Sequence, residues 1–128
     1  MRRILRWTIA LAYFLLLTFL LLTPHLPYGP SLFLRLFPQA DKVAHFFALG
    51  LLALVIARAL SDPAEPSVPV LTLLATIVFT CSYAIAIEFI QPQFQRTFEV
   101  PDMVAGGLGV LAALLAWVGL RKRFRKLA

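Results

Sequence analysis

Four long apolar runs alternate with short polar stretches along the chain: Leu5–Thr23, Val43–Leu60, Val70–Gln91 and Asp102–Leu120. Each is close to the ~20 helical residues that cross a ~30 Å hydrocarbon core at ~1.5 Å per residue. Prolines punctuate the pattern. Pro24, Pro27, Pro30, Pro38, Pro63, Pro66, Pro69, Pro92 and Pro101 all fall at the edges of the runs or between them. A proline ring removes an amide donor and drives the preceding residue out of the helical region, so these positions mark helix limits. The pattern predicts an all-α chain, a four-helix transmembrane bundle forming a single domain over residues 1–128. The first run follows Arg2 and Arg3 as a secretory leader would. It is longer than a leader's apolar core, and no small-x-small cleavage site follows in "TPHLPYGPS", so it is read as a retained helix.

Composition agrees: 61% of residues are hydrophobic and 14% charged, against about 45–50% and about 25% in soluble domains. The net charge of +6 raises nucleic acid as a partner, and the placement of the bases argues against it. Arg2, Arg3 and Arg6 precede the first run, and Arg121, Lys122, Arg123, Arg125 and Lys126 follow the last. Basic clusters flanking spans set topology, and no nucleic-acid recognition motif accompanies them. With both termini cytoplasmic, the Arg58–Pro69 loop joins that side, which then carries nine Lys/Arg against three outside, Arg35, Lys42 and Arg96. The expectation is N-in/C-in in the cell membrane, with the lipid bilayer as partner. Asp62 and Glu65 do not count against it, because the rule weighs Lys and Arg. The Pro24–Asp41 connection contains "SLFLRLF" (Ser31–Phe37), which fits either an interfacial helix or a segment dipping into the bundle. Cys81 is the single cysteine, so neither an intrachain disulfide nor a thiolate metal cluster can form.

The polar residues within and beside the spans are not scattered. Asp41, Lys42 and His45 open the second helix, Glu88 and Gln91 close the third, Arg96 lies in the short loop, and Asp102 opens the fourth. All seven therefore belong to the outer end of the expected bundle. Asp41 and His45 are four apart and Glu88 and Gln91 three apart, so each pair shares a helix face. Together they predict a shallow, outward-facing polar pocket. Several members have ordinary explanations. Asp41 and Asp102 suit helix N-termini, Lys42 and Arg96 suit a headgroup layer, and His25 suits the interface. His45 reads as a packed, hydrogen-bonded histidine before a metal ligand. Glu88 has no such explanation: an acid near a helix C-terminus opposes the dipole, and ionisable groups in an apolar span are costly unless they face an interior or a wet cavity. Its candidate partners are Arg96, His45 and Lys42. On the fourth helix, Gly106, Gly109, Ala113 and Ala116 form a small-residue stripe that permits close helix approach, expected to draw Asp102 toward the third helix.

"DKVAH" (Asp41–His45), "EFIQ" (Glu88–Gln91) and "RTFEVPDMVAGGLG" (Arg96–Gly109), in this order, resemble the signature of VanZ-like membrane proteins. That pattern opens the second helix with Asp-Lys-x-x-His and ends the third with Glu-x-x-Gln. An Arg, an Asp and an Asn- and Gly-rich helix start follow. One departure is clear: Gly106 stands where the family usually carries Asn. The resemblance implies a role in the cell envelope, associated in named members with resistance to teicoplanin-type glycopeptide antibiotics. It makes an envelope lipid or a lipoglycopeptide the expected pocket ligand. Two other classes compete. A membrane enzyme acting on a lipid-linked substrate would use His45 with Glu88 or Asp102, but no nucleophile motif or HExxH-like spacing appears, and Cys81 and Ser82 lie deeper in the helix. A small proton-coupled transporter would use Thr72, Thr76 and Thr80 as a polar path, although the polar residues gather at one face and not at the midplane. No cofactor and no metal are expected.

Overall fold

The computed structural model describes residues 2–24, 37, 39–62, 64–65 and 67–127. Four helices account for most of them: α1 (Arg2–Leu22), α2 (Ala40–Leu60), α3 (Val70–Ile90) and α4 (Val100–Leu127). A short 3-10 turn, Gln91–Phe94, follows α3 directly. Among the described residues there is no strand, and all four helices are long and apolar enough to cross a membrane. The chain is an all-helical, multi-pass membrane protein. His25 and nearly all of the Ser31–Phe37 segment lie outside the described residues.

The helix limits differ from the sequence expectation in instructive ways. Helix α2 begins three residues early, at Ala40, so Asp41 sits in its first turn beside the positive dipole end. Helix α4 begins at Val100, ahead of Pro101 and Asp102, because proline is tolerated in a first turn where its N–H has no intrahelical partner. It also continues past Leu120 to Leu127. Loss of apolar character ends the span there but not the helix, since Arg and Lys are good helix formers.

Helix α2 is the centre of the bundle and makes its most extensive contact with α4. The crossing has almost no side chain in it. A Cβ on Gly50 would stand 2.9 Å from the Gly109 carbonyl oxygen, and one on Gly109 would run into the Phe46 carbonyl. The small-residue stripe thus acts against α2, not α3. It ends at Ala113, 3.5 Å from a Cβ placed on Gly50, while Ala116 is exposed. A stripe at spacings of three and four drifts around a straight helix, so its fourth member leaves the contact.

Helix α1 docks more lightly. The Tyr13 hydroxyl donates to the Ala48 carbonyl at 3.0 Å, Thr18 and Tyr83 share a 2.9 Å hydroxyl contact, and the Phe14 and Tyr83 rings lie 5.0 Å apart. On α3, Thr76 and Thr80 are fully buried. Their hydroxyls donate back to the carbonyls of Thr72 and Thr76 at 2.8 and 2.7 Å. These threonines satisfy themselves within their own helix.

Candidate functional site

The first turns of α2 and α4, the last turn of α3 and the loop after it meet at one end of the bundle. Here His45, Glu88, Gln91 and Asp102 are 1–3% exposed, enclosed as completely as the aliphatic core. Asp41 and Lys42 form a rim with side chains 35% and 30% exposed, and Arg96 is 9% exposed beside them. The structure links six of the seven sequence candidates in one network of side-chain contacts; Gln91 is buried at the same end, and its amide bonds to the end of α1 instead.

Glu88 finds its partners on two elements. Its Oε2 accepts the Glu99 backbone N–H at 3.0 Å, and its Oε1 faces His45 Nε2 at 3.5 Å. Of the three partners expected for Glu88, the structure pairs His45 with it. Arg96 turns elsewhere, donating to the Thr23 carbonyl of the α1 end at 3.3 Å and standing 3.7 Å from Asp41 Oδ1. Lys42 lies between Glu99 Oε2 at 3.3 Å and Asp102 Oδ1 at 3.7 Å. Gln91 donates from Nε2 to the Leu21 carbonyl at 3.0 Å, tying the end of α3 to α1.

The loop that makes this possible turns sharply after Phe94. Gln95 adopts a left-handed conformation, φ 59°, and its N–H closes onto the Gln91 carbonyl. The Arg96 N–H reaches the same carbonyl at 3.2 Å. The turn delivers Glu99 directly over the end of α3.

Glu99 is the member that the sequence reading missed. It accepts from Lys42, accepts from the Thr97 hydroxyl at 3.3 Å, and supplies through its backbone the N–H that holds Glu88. Its carbonyl also accepts the Asp102 N–H at 3.1 Å, capping the start of α4. A loop acid shows no helical spacing. The available clue was its position three residues before Asp102, where the backbone enters a helix with free N–H groups.

His45 is the centre of the arrangement. Its Nδ1 lies 3.0 Å from the Asp41 carbonyl oxygen, 3.8 Å from Asp102 Oδ2 and 3.9 Å from Asp41 Oδ1. Both ring nitrogens therefore face acceptors, and a neutral imidazole carries only one N–H. His45 Nε2, Glu88 Oε1 and Asp102 Oδ1 are buried without hydrogen-bond partners, an uncommon condition in a packed interior. With four carboxylates against two fixed bases, the cluster is rich in acceptors. An apolar groove of about 530 Å³, lined by Trp7, Leu11, Phe14, Ile56 and Phe79 among others, lies toward the other end of the bundle and shares none of these residues.

No curated protein and no solved structure shows significant similarity to the chain. A family model does: VanZ/LLP1 matches residues 5–121, spanning all four helices and every residue of the cluster. Coverage on that scale agrees with the Asp41–His45, Glu88–Gln91 and Arg96–Gly109 motifs, and the chain belongs to the VanZ/LLP1 family.

Proposed function

We propose that this protein holds an envelope ligand, a lipid headgroup or a lipoglycopeptide, at the buried polar cluster, with both termini cytoplasmic and the cluster facing outward. The observation that carries this reading is the convergence of ionisable side chains from three helices at one end of an otherwise apolar bundle. Such groups are costly in a membrane unless they serve a site. Lys42 and Arg96 are already engaged by Glu99, Asp102 and Asp41. An anionic group on the ligand exchanges with those acids, while donor groups on the ligand meet the surplus carboxylates. Membership of the VanZ/LLP1 family supports a link to teicoplanin-type resistance.

The test is teicoplanin susceptibility in a sensitive bacterial host producing wild type or Glu88→Gln at equal membrane levels. Protection by wild type and its loss in Glu88→Gln are expected. Absence of protection by either sinks the resistance role.

A second reading, hydrolysis of a lipid-linked substrate, is favoured by one observation: a buried histidine stands between Glu88 and Asp102, the arrangement of a general base with its orienting acid. Turnover of such a substrate that disappears in His45→Ala would raise it above the binding reading. The self-satisfied threonines of α3 supply no free polar groups for a transport path.

A further inference from the structure

We propose that Asp41, His45 and Asp102 form a binding site for a divalent first-row transition metal, Zn²⁺ in the first instance, with Glu88 holding the histidine in its ligating tautomer. One ligand atom from each of the three residues lies within 4.8 Å of the others. Two independent features of the cluster point to a cation there.

The first is the pattern of missing hydrogen bonds. His45 Nε2 and Glu88 Oε1 face each other at 3.5 Å, yet each is buried without a hydrogen-bond partner. A ring proton on Nε2 points at Glu88 Oε1, itself fixed by the Glu99 N–H, and a small closing of the 3.5 Å gap makes the bond, at the expense of the 3.0 Å contact of Nδ1 with the Asp41 carbonyl. That choice turns the Nδ1 lone pair toward Asp102 Oδ2 and Asp41 Oδ1, at 3.8 and 3.9 Å. The Asp41 carbonyl near Nδ1 loses little, since within α2 it accepts the backbone N–H four residues on. Three acceptors then converge, and Asp102 Oδ1, on a side chain only 4% exposed, also lacks a hydrogen bond. A carboxylate that orients a histidine through its second nitrogen is the usual support of a metal-bound imidazole.

The second is charge. Among the described residues, Asp41, Glu88, Glu99 and Asp102 are opposed by Lys42 and Arg96. The N-termini of α2 and α4 and the C-terminus of α3 add only about +0.5 between them. With a neutral imidazole and ionised carboxylates, the described residues leave a deficit of about −1.5 at this end of the bundle, and a divalent ion offsets it. The two bases sit 3.7 Å from Asp102 Oδ1 and Asp41 Oδ1, beyond hydrogen-bonding range, and hold those oxygens loosely. Tetrahedral ligands ~2.1 Å from zinc are about 3.4 Å apart, so binding draws each carboxylate about half an ångström closer to His45 Nδ1, and the two carboxylates together by no more than about 1.4 Å. Asp41, 35% exposed, opens the route of entry and leaves a fourth position for water or a ligand atom.

Sequence spacing presents His45 as a packed residue with no metal; its burial among carboxylates, with Glu88 Oε1 and Asp102 Oδ1 both lacking hydrogen bonds, changes that. This proposal goes beyond the envelope-ligand reading and requires no lipid.

The experiment uses the full chain in detergent, stripped with a chelator and titrated calorimetrically with Zn²⁺, with bound metal counted by mass spectrometry after desalting. About one Zn²⁺ per chain is expected, with at least ~10-fold weaker binding in Asp102→Asn, His45→Ala and Glu88→Gln, and unchanged affinity in Arg58→Gln. Failure to bind stoichiometric Zn²⁺, or equal binding by Asp102→Asn, overturns the proposal. If a site variant does not fold, the wild-type melting midpoint decides: a rise with Zn²⁺ but not Mg²⁺ supports the site, and no shift overturns it. Zinc binding without teicoplanin protection leaves the metal site standing and removes the resistance role; protection without zinc binding does the reverse.

Discussion

The two ends of the bundle use charged side chains in opposite ways. At the end opposite the acidic cluster, Arg6 of α1 donates to the Arg58 and Ser61 carbonyls at 3.0 and 2.7 Å, and the Ser61 hydroxyl donates to the Ala57 carbonyl at 2.6 Å. Arg121 reaches the Asp62 carbonyl at 3.4 Å and lies 5.2 Å from the centre of the Trp117 ring. Cations thus close the free carbonyls at the C-terminal end of α2, where the dipole favours them. Two donors there, Trp117 Nε1 and Arg121 Nη1, lack partners, but both belong to one stacked pair. At the acidic end the unmatched atoms come from three helices: His45 Nε2 and Glu88 Oε1 face each other, and Asp102 Oδ1 lies 3.7 Å from Lys42. The first end is an anchoring of helix to loop; the second has more acceptors than structure alone requires. A ligand or an ion is the reason we give for that surplus.

The contrast predicts a graded response to substitution. Glu88→Ala leaves His45 Nε2 and the Glu99 N–H facing a cavity, and each buried donor left without an acceptor costs about 1–3 kcal/mol. A large fall in thermal unfolding midpoint in detergent is expected; a fall no larger than that of Arg6→Ala would erase the distinction between the ends. Between them, Gly109→Ala forces α4 away from the Phe46 carbonyl, and overpacking of this kind costs about 1–3 kcal/mol. The same melting measurement reads it, with Gly107→Ala as the comparison: nothing lies within 4 Å of its added Cβ, and alanine's better helix propensity leaves the midpoint unchanged or raised by up to about 1 kcal/mol equivalent. Arg6→Ala removes at least the two contacts to the Arg58 and Ser61 carbonyls at a partly exposed site, and about 1 kcal/mol is expected. The smallest effect has the opposite sign. Gln95→Gly relieves a left-handed residue and raises the midpoint by up to about 1 kcal/mol equivalent. A loss of stability there would mean that the Gln95 side chain contributes to the cluster.

The four helices were legible in the sequence because a bilayer demands a fixed length of apolar residues and prolines stand at the breaks. Pro69 caps α3 and Pro92 enters the 3-10 turn, as their chemistry dictates. The grouping of Asp41, His45, Glu88, Gln91 and Asp102 was legible for a related reason, since topology assigns each to the same end. Their pairings were not. Gln91 bonds to Leu21 across 70 residues and Arg96 to Thr23 across 73, and no spacing rule spans such separations. Glu99 escaped because its role rests on a backbone N–H whose direction is set by the Gln95 turn. The glycine stripe was visible on α4, but its counterpart is the lone Gly50, unremarkable in sequence until the helices cross.

That crossing has a mechanical consequence. Gly50 lies midway along α2, about 14 Å along the axis from Asp41 and about 12 Å from Arg58 at ~1.5 Å per residue. Backbone meets backbone there, so no side chain is available to compress. The same two helices make the most extensive contact of the bundle, so a backbone-to-backbone crossing at its middle sets how close the rest of the two rods can come. The spacing of Asp41 from Asp102, at the first turns of these two rods, is thereby governed by a pair of glycines about two to three turns away and not by the charged residues themselves.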